Sequence, residues 1–161
     1  LVSSARDGGE KTLIFSQFTS FLELIAQRLD EAGIAYYTIT GSTPKKDRVD
    51  MVNEFNGNDV PVFLVSLKAG GTGLNLTGAS VVIHADPWWN AAAQQQATDR
   101  AHRIGQTRVV SVQKVIAKGT IEERILHLQE EKSKLADQVI GAAGMSLASL
   151  SADELIDLLG E

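Results

Sequence analysis

The run Val60–Ser66, V-P-V-F-L-V-S, constrains the fold more than any other stretch. A strand that is apolar at nearly every position has no polar face to give to water, so both of its faces must be covered. Parallel sheets meet that demand, because the crossovers joining their strands lay helices on both sides. Other short runs fit beside it. Thr12–Ser16, Tyr36–Thr40, Val81–His84 and Val109–Ala117 read as further strands. Between them lie stretches with helical spacing, and strands alternating with helices predict an α/β domain with a mostly parallel sheet.

The helical segments carry their own signals. Phe18, Phe21, Leu22, Ile25 and Leu29 recur at helical spacing and Gly33 ends that helix. Gly41-Ser42-Thr43-Pro44 predicts a turn into a second helix, with Thr43 as N-cap, Pro44 in the first position, and Val49, Val52 and Phe55 facing inward. Gly57-Asn58 closes it. Asn90 is placed to cap a helix carrying Gln94 to His102. Residues 1–10 are short and polar and read as a linker or the edge of a longer chain. Residues 11–118 form the α/β domain, and residues 119–161 a helical tail. In that tail Thr120-x-x-Glu123 and Ser151-x-x-Glu154 are capping boxes. Ile121, Ile125, Leu128, Leu135 and Val139 make an apolar stripe, interrupted by Lys132. It fits either the flank of this domain or a docking strip for another one. Gly141 to Gly144 is expected to break the helix.

Charge is uneven along the chain. The net charge is -5, yet residues 119–161 hold nine acids and three bases, a balance of -6. Residues 94–118 carry five Lys or Arg and one Asp, a local +4. A basic patch of that size can bind phosphate on an acidic protein. With no cysteine, disulfides and zinc-thiolate sites are excluded. No run of about 18 apolar residues is present, so no membrane-spanning helix is expected, and no signal peptide is visible.

The basic patch centres on Gln94–Arg108, Q-Q-Q-A-T-D-R-A-H-R-I-G-Q-T-R. Arg100 and Arg103, three apart, would share nearly one face of a helix. Two guanidiniums together make a permanently charged clamp for phosphate oxygens, or simply a solvated face. Ser66-Leu67-Lys68-Ala69-Gly70-Gly71-Thr72-Gly73-Leu74-Asn75-Leu76-Thr77 follows the third strand, where α/β folds place ligands. Its glycines allow close approach of a phosphate or a tight turn. It is neither G-x-x-x-x-G-K-[ST] nor G-x-G-x-x-G. Gly8-Gly9-Glu10-Lys11-Thr12 precedes a strand, so nothing here alone cradles a triphosphate and Mg²⁺. Asp86-Pro87-Trp88-Trp89-Asn90 sets two indoles in one loop. One tryptophan suits the core, and the other could meet a nucleic-acid strand or a partner. His84 reads as a packed residue, His102 as an organiser of its turn, and His127 as exposed. Their spacing is not that of metal ligands.

Taken in order, K-T-L-I-F-S-Q-F, T-G-S-T-P-K-K-D-R, V-S-L-K-A-G-G-T-G-L-N-L-T, H-A-D-P-W-W-N and Q-A-T-D-R-A-H-R-I-G-Q resemble the C-terminal half of the Swi/Snf-type DNA-dependent ATPases of helicase superfamily 2. The resemblance covers roughly residues 11–140, and the tail 147–159 is similar to bacterial members. It implies a RecA-like three-layer lobe, the second of two, with ATP in the cleft between them. Walker A and B residues and most of the ATP and Mg²⁺ contacts would sit on the first lobe. By motif, Arg100 and Arg103 would be arginine fingers. Gln96, Gly71 and Asn75 would serve the nucleotide side. Gln17, Ser66, Lys68, Thr72 and Trp89 would meet the DNA backbone. Trp88 is an addition to the commoner pattern, and Ala91 stands where the family often has proline. The helix from Thr120 resembles the family's brace toward the first lobe.

Double-stranded DNA, the N-terminal lobe and a DNA-bound protein such as RNA polymerase are the implied partners. The expected setting is cytoplasm with nucleoid contact. The isolated chain is expected to lack ATPase activity. Two other readings stand beside this one: the matching lobe of an RNA helicase, disfavoured by D-R-A-H-R-I-G-Q and G-G-T-G-L-N-L, and a non-catalytic docking module, disfavoured by the intact arginines.

Overall fold

The computed structural model describes residues 1–143 apart from 68, 70–73, 89 and 103–105, with side chains left aside at 91 and 136–143. The elements run α1 (Val2–Asp7), β1 (Thr12–Ser16), α2 (Thr19–Glu31), β2 (Tyr36–Ile39), α3 (Lys45–Gly57), β3 (Val62–Ser66), β4 (Val81–His84), α4 (Ala91–Thr98), β5 (Ser111–Lys114) and α5 (Ile121–Ala143). The strands make one sheet in the order β2-β3-β1-β4-β5, and every pairing is parallel. The chain therefore begins in the middle of its sheet, builds one side with β2 and β3, then crosses β1 to build the other.

The continuous apolar run of β3 is explained by its position. Successive side chains of a strand point to opposite faces. Val62 and Leu64 join Ile14, Leu22, Leu29, Ile34 and Ile83 in one core, under α1 and α2. Phe63 and Val65 join Leu13, Phe15, Val52, Phe55 and Ala97 in the other, under α3 and α4. Two cores on one sheet make the three layers. At the outer edge, all four residues of β5 are exposed, and the strand is shorter than the expected 109–117.

Several local expectations are corrected. Residues 2–7 are a helix, tied down by Ala5 in the α1–α2 core, where a polar linker was expected. Thr43 does not cap α3. Its hydroxyl accepts from the Thr40 N–H at 3.0 Å, and Pro44 holds the N-cap position without a side-chain bond. Arg48 closes that turn by donating to the Thr43 and Gly41 carbonyls at 2.7 and 3.0 Å. Phe18, Phe21 and Val49 are exposed, because the sheet meets only the narrower stripes of Leu22 and Leu29 on α2 and of Val52 and Phe55 on α3. Gly33 does end its helix as expected, with φ of +62° and the Ile34 N–H donating to the Leu29 carbonyl at 2.9 Å.

α5 runs through Gly141 to Ala143, and the end of the 141–144 stretch where a break was expected lies outside the described residues. Its start uses a variant of the capping box. Thr120 Oγ1 accepts from the Glu122 N–H at 3.2 Å, while Glu123 reaches back to the Gly119 N–H at 2.9 Å. Only part of its apolar stripe is covered by this domain: Ile125 is buried, but Ile121, Leu128 and Leu135 are exposed. The second capping box at Ser151 lies outside the described residues.

Candidate functional site

Two clusters form around the sheet. The first stands at the C-terminal ends of β1, β3 and β4. Ser16 and Ser66 are direct partners in the β1–β3 ladder. The loop leaving β4 brings Asp86 over them. Ser16 Oγ donates to Asp86 Oδ2, and the Gln17 backbone N–H donates to Oδ1 at 3.3 Å. Gln17 Nε2 donates to the Pro87 carbonyl at 3.1 Å. Asp86 is buried, so a single carboxylate fixes the exit of β1 and the start of the tryptophan loop together. Trp88, half-buried, packs against the α3–α4 core. That assigns one tryptophan of the pair to packing.

The second cluster joins the exit of the glycine-rich loop to the arginine turn. The Leu76 N–H donates to the Arg100 carbonyl at 3.0 Å. Gln106 Nε2 lies 3.1, 2.7 and 3.2 Å from the carbonyls of Thr77, Ala79 and Ala101, and its Oε1 accepts from the Arg108 N–H at 3.0 Å. On the other side Asn56, from α3, donates to the Asn75 carbonyl at 2.8 Å and accepts from the Gly78 N–H at 2.9 Å. Gly78 is needed there, since a Cβ would stand 2.9 Å from Asn56 Oδ1 and 3.1 Å from Asn56 Cα.

The helix between the clusters differs from its expected extent. α4 ends at Thr98, and Arg100 lies in the turn beyond it, so Arg100 is not on a helical face. Thr98 supplies the reason. Its hydroxyl donates back to the Gln94 carbonyl at 3.3 Å and pairs with His84 Nε2 at 2.9 Å. A hydroxyl bonding to the preceding turn competes with helix continuation, and the Arg100 and Ala101 N–H groups then close tighter, three-residue turns on Ala97 and Thr98. Asn90 caps α4 as expected, accepting from the Ala93 N–H at 3.2 Å. His84 is buried and stacks on Phe15 at 5.7 Å. Burial, with the Lys114 charge adding to it, lowers its pKa to about 4. Because Thr98 Oγ1 donates to the Gln94 carbonyl, the neutral ring's Nε2–H is the donor to Thr98 Oγ1.

Of the residues singled out in the sequence, Gln17, Ser66 and the Asp86 loop meet in the first cluster, and Asn75 and Arg100 in the second. Ser66 is covered and Gln17 half-covered, whereas Asn75 and Gln96 are exposed. Arg100 is 9% exposed. Lys68, Gly71, Thr72, Trp89 and Arg103 lie outside the described residues. Three residues that hold the clusters together were missed: Asn56, Asp86 as an acceptor, and Gln106. A lone amide at a helix end or after a turn carries no spacing signal, because its partners are distant backbone carbonyls. Among the described residues no group of three or more His, Asp and Glu could hold a metal ion.

This arrangement has known counterparts. The helicase conserved C-terminal domain family matches residues 1–105. The chain belongs to that family. An ATP-dependent helicase of Mycoplasma pneumoniae is 42% identical over 159 residues, 98% of this chain and 15% of that protein. The chromatin-remodeling ATPase INO80 of Homo sapiens is 42% identical over 160 residues, 99% of this chain and 10% of that protein. The crystal structure of the C-terminal part of the Fun30 ATPase domain superposes with a TM-score of 0.74 at 40% identity, covering 77% of this chain and 40% of that one. The fold is thus the RecA-like α/β fold of a helicase C-terminal lobe, of the Swi/Snf type. The lobe spans 10–15% of the length of the two protein relatives.

Proposed function

We propose that this helicase C-terminal lobe works as the second half of an ATP-driven motor that tracks double-stranded DNA, with Arg100 and Arg103 completing an ATP site whose Walker residues lie on a preceding lobe. The observation that carries the reading is the 3.0 Å bond between Leu76 and the Arg100 carbonyl. It joins the exit of the glycine-rich loop to the arginine turn, which supports the reading that a phosphate change felt at one is felt at the other. Arg100 is nearly buried, and a phosphate brought against a guanidinium already partly removed from water meets it at lower effective dielectric. An arginine finger acting on a γ-phosphate contributes about 10³–10⁵ in rate.

The first cluster takes the other role. Gln17 and Ser66 of that cluster, with Lys68, Thr72 and Trp89 assigned by motif, would grip backbone phosphates, a sequence-independent contact. Gln96, Gly71 and Asn75 would serve the nucleotide side. ATP with Mg²⁺ would be bound mainly by the preceding lobe. Closure of the two lobes on ATP would shift one grip relative to the other and produce a step, which could displace a DNA-bound protein.

ATP turnover by the full-length protein, without nucleic acid and with duplex DNA, single-stranded DNA or RNA, tests this. Stimulation by duplex DNA is expected, with no turnover from the 161-residue lobe by itself. Stimulation by RNA alone, or turnover from the isolated lobe, would overturn the reading.

A further inference from the structure

Gln129 stands one helical turn after Ile125 on the covered side of α5 and is 7% exposed. Burying a carboxamide is unfavourable unless its hydrogen bonds are made, so the partners of this one are informative. Its Nε2 donates to the Trp88 carbonyl and lies 3.4 Å from Gln94 Oε1. One side chain therefore ties α5 to both the tryptophan loop and α4.

Both contacts lead to a functional cluster. From Trp88 the loop runs back to Pro87 and Asp86, which hold Gln17 and Ser16. From Gln94, itself buried, the chain of bonds runs through Thr98 to the turn carrying Arg100. The seam beside Gln129 is loosely filled. A cavity of about 580 Å³ opens between α4, α5 and the end of β5, lined in part by Gln95, Lys114, Leu126 and Ser133. The carboxamide's bonds cross the seam beside that cavity.

We propose that Gln129 is a positioning residue that couples α5 to both clusters, so that displacement of α5 shifts the tryptophan loop and the arginine turn together. The inference rests on the functional reading above for what the clusters do, but not for the coupling itself.

Two variants and two readouts test it. Gln129→Met keeps the length and apolar contact, and Gln129→Glu keeps the shape but replaces the donor with a carboxylate that faces the Trp88 and Gln94 oxygens. In the full-length protein both should lower duplex-stimulated turnover about tenfold, the effect of losing one hydrogen bond that holds the reacting geometry. Unstimulated turnover should fall in parallel, because the same arginine turn serves it, and hydrogen exchange separates this from a general loss of folding. In the 161-residue chain, amide hydrogen exchange over 85–90 and 91–100 should both accelerate, about tenfold, with α2 and α3 unchanged. Turnover unchanged in both variants would overturn the proposal, as would exchange that changes in only one segment, in neither, or across α2 and α3 as well. If the wild-type protein shows no DNA stimulation, the functional reading fails, and the exchange measurement still decides the coupling.

Discussion

The strand-end cluster and the arginine turn are held by different kinds of bond. At the strand ends one buried carboxylate, Asp86, accepts from the hydroxyl of one residue and the backbone of the next. The arginine turn and the loop exit beside it are instead held by neutral contacts: the Leu76 N–H and the Gln106 carboxamide bond the turn, and the Asn56 carboxamide bonds the loop exit. A hub with one charged centre is stiff and vulnerable to a single substitution. A distributed set tolerates the loss of one member and can shift as a body. Those properties suit the proposed roles of a backbone grip and a nucleotide-responsive turn.

The largest expected effect would separate the clusters by function. Arg100→Ala or Arg103→Ala in the full-length protein should reduce DNA-stimulated ATP turnover about 10³-fold or more, with duplex affinity changed only a few-fold. Steady-state turnover and a binding titration check this, and near-normal turnover would remove that arginine from its role.

Acid should loosen the arginine side through His84. Its folded pKa of about 4 lies below the ordinary 6.5, so the unfolded chain takes up the proton first. The neutral ring's contribution is complete above about pH 6.5 and is lost as pH falls from there toward 4, for about 3 kcal/mol in total. Urea unfolding at pH 7, 5.5 and 4 should show this slope in the wild type and a flatter one in His84→Leu. Equal slopes would refute the assignment.

A hub should fail abruptly. Asp86→Ala leaves the Ser16 hydroxyl and the Gln17 N–H without their acceptor and should cost about 2–3 kcal/mol of stability, while Asp86→Asn, which retains one acceptor oxygen, should cost less. Denaturation curves of the three proteins decide it. Gly78→Ala probes the distributed side. Its new Cβ would press on Asn56, 2.9 Å from Oδ1, and Asn56 must give way at about 1–2 kcal/mol. Should Gly78→Ala prove more damaging than Asp86→Ala, the contrast between hub and distributed set would be reversed.

Much of this was readable before any coordinates. β1, β2, β3 and β4 fall close to where their apolar runs place them, and Asn90 and Gly33 bound their helices as their chemistry requires. Arg100 and Asn75 were singled out by motif, and the fold brings their segments together. Other features were not readable. The end of α4 at Thr98 depends on His84, fourteen residues earlier. Asn56 and Gln106 act through carbonyls far away in the chain, and the exposure of Ile121, Leu128 and Leu135 depends on how little of α5 the domain covers.

The sequence by itself determined the α/β class, the two covered faces of the sheet and the helicase C-terminal family, because periodicity and motif spacing are local properties of the chain. Tertiary structure alone decided which elements are neighbours. It set β1 between β3 and β4, tied Leu76 to Arg100, and seated Gln129 between the tryptophan loop and α4. Those contacts join residues 24 to 69 positions apart, and no local pattern encodes a hydrogen bond whose two ends meet only after the chain has packed.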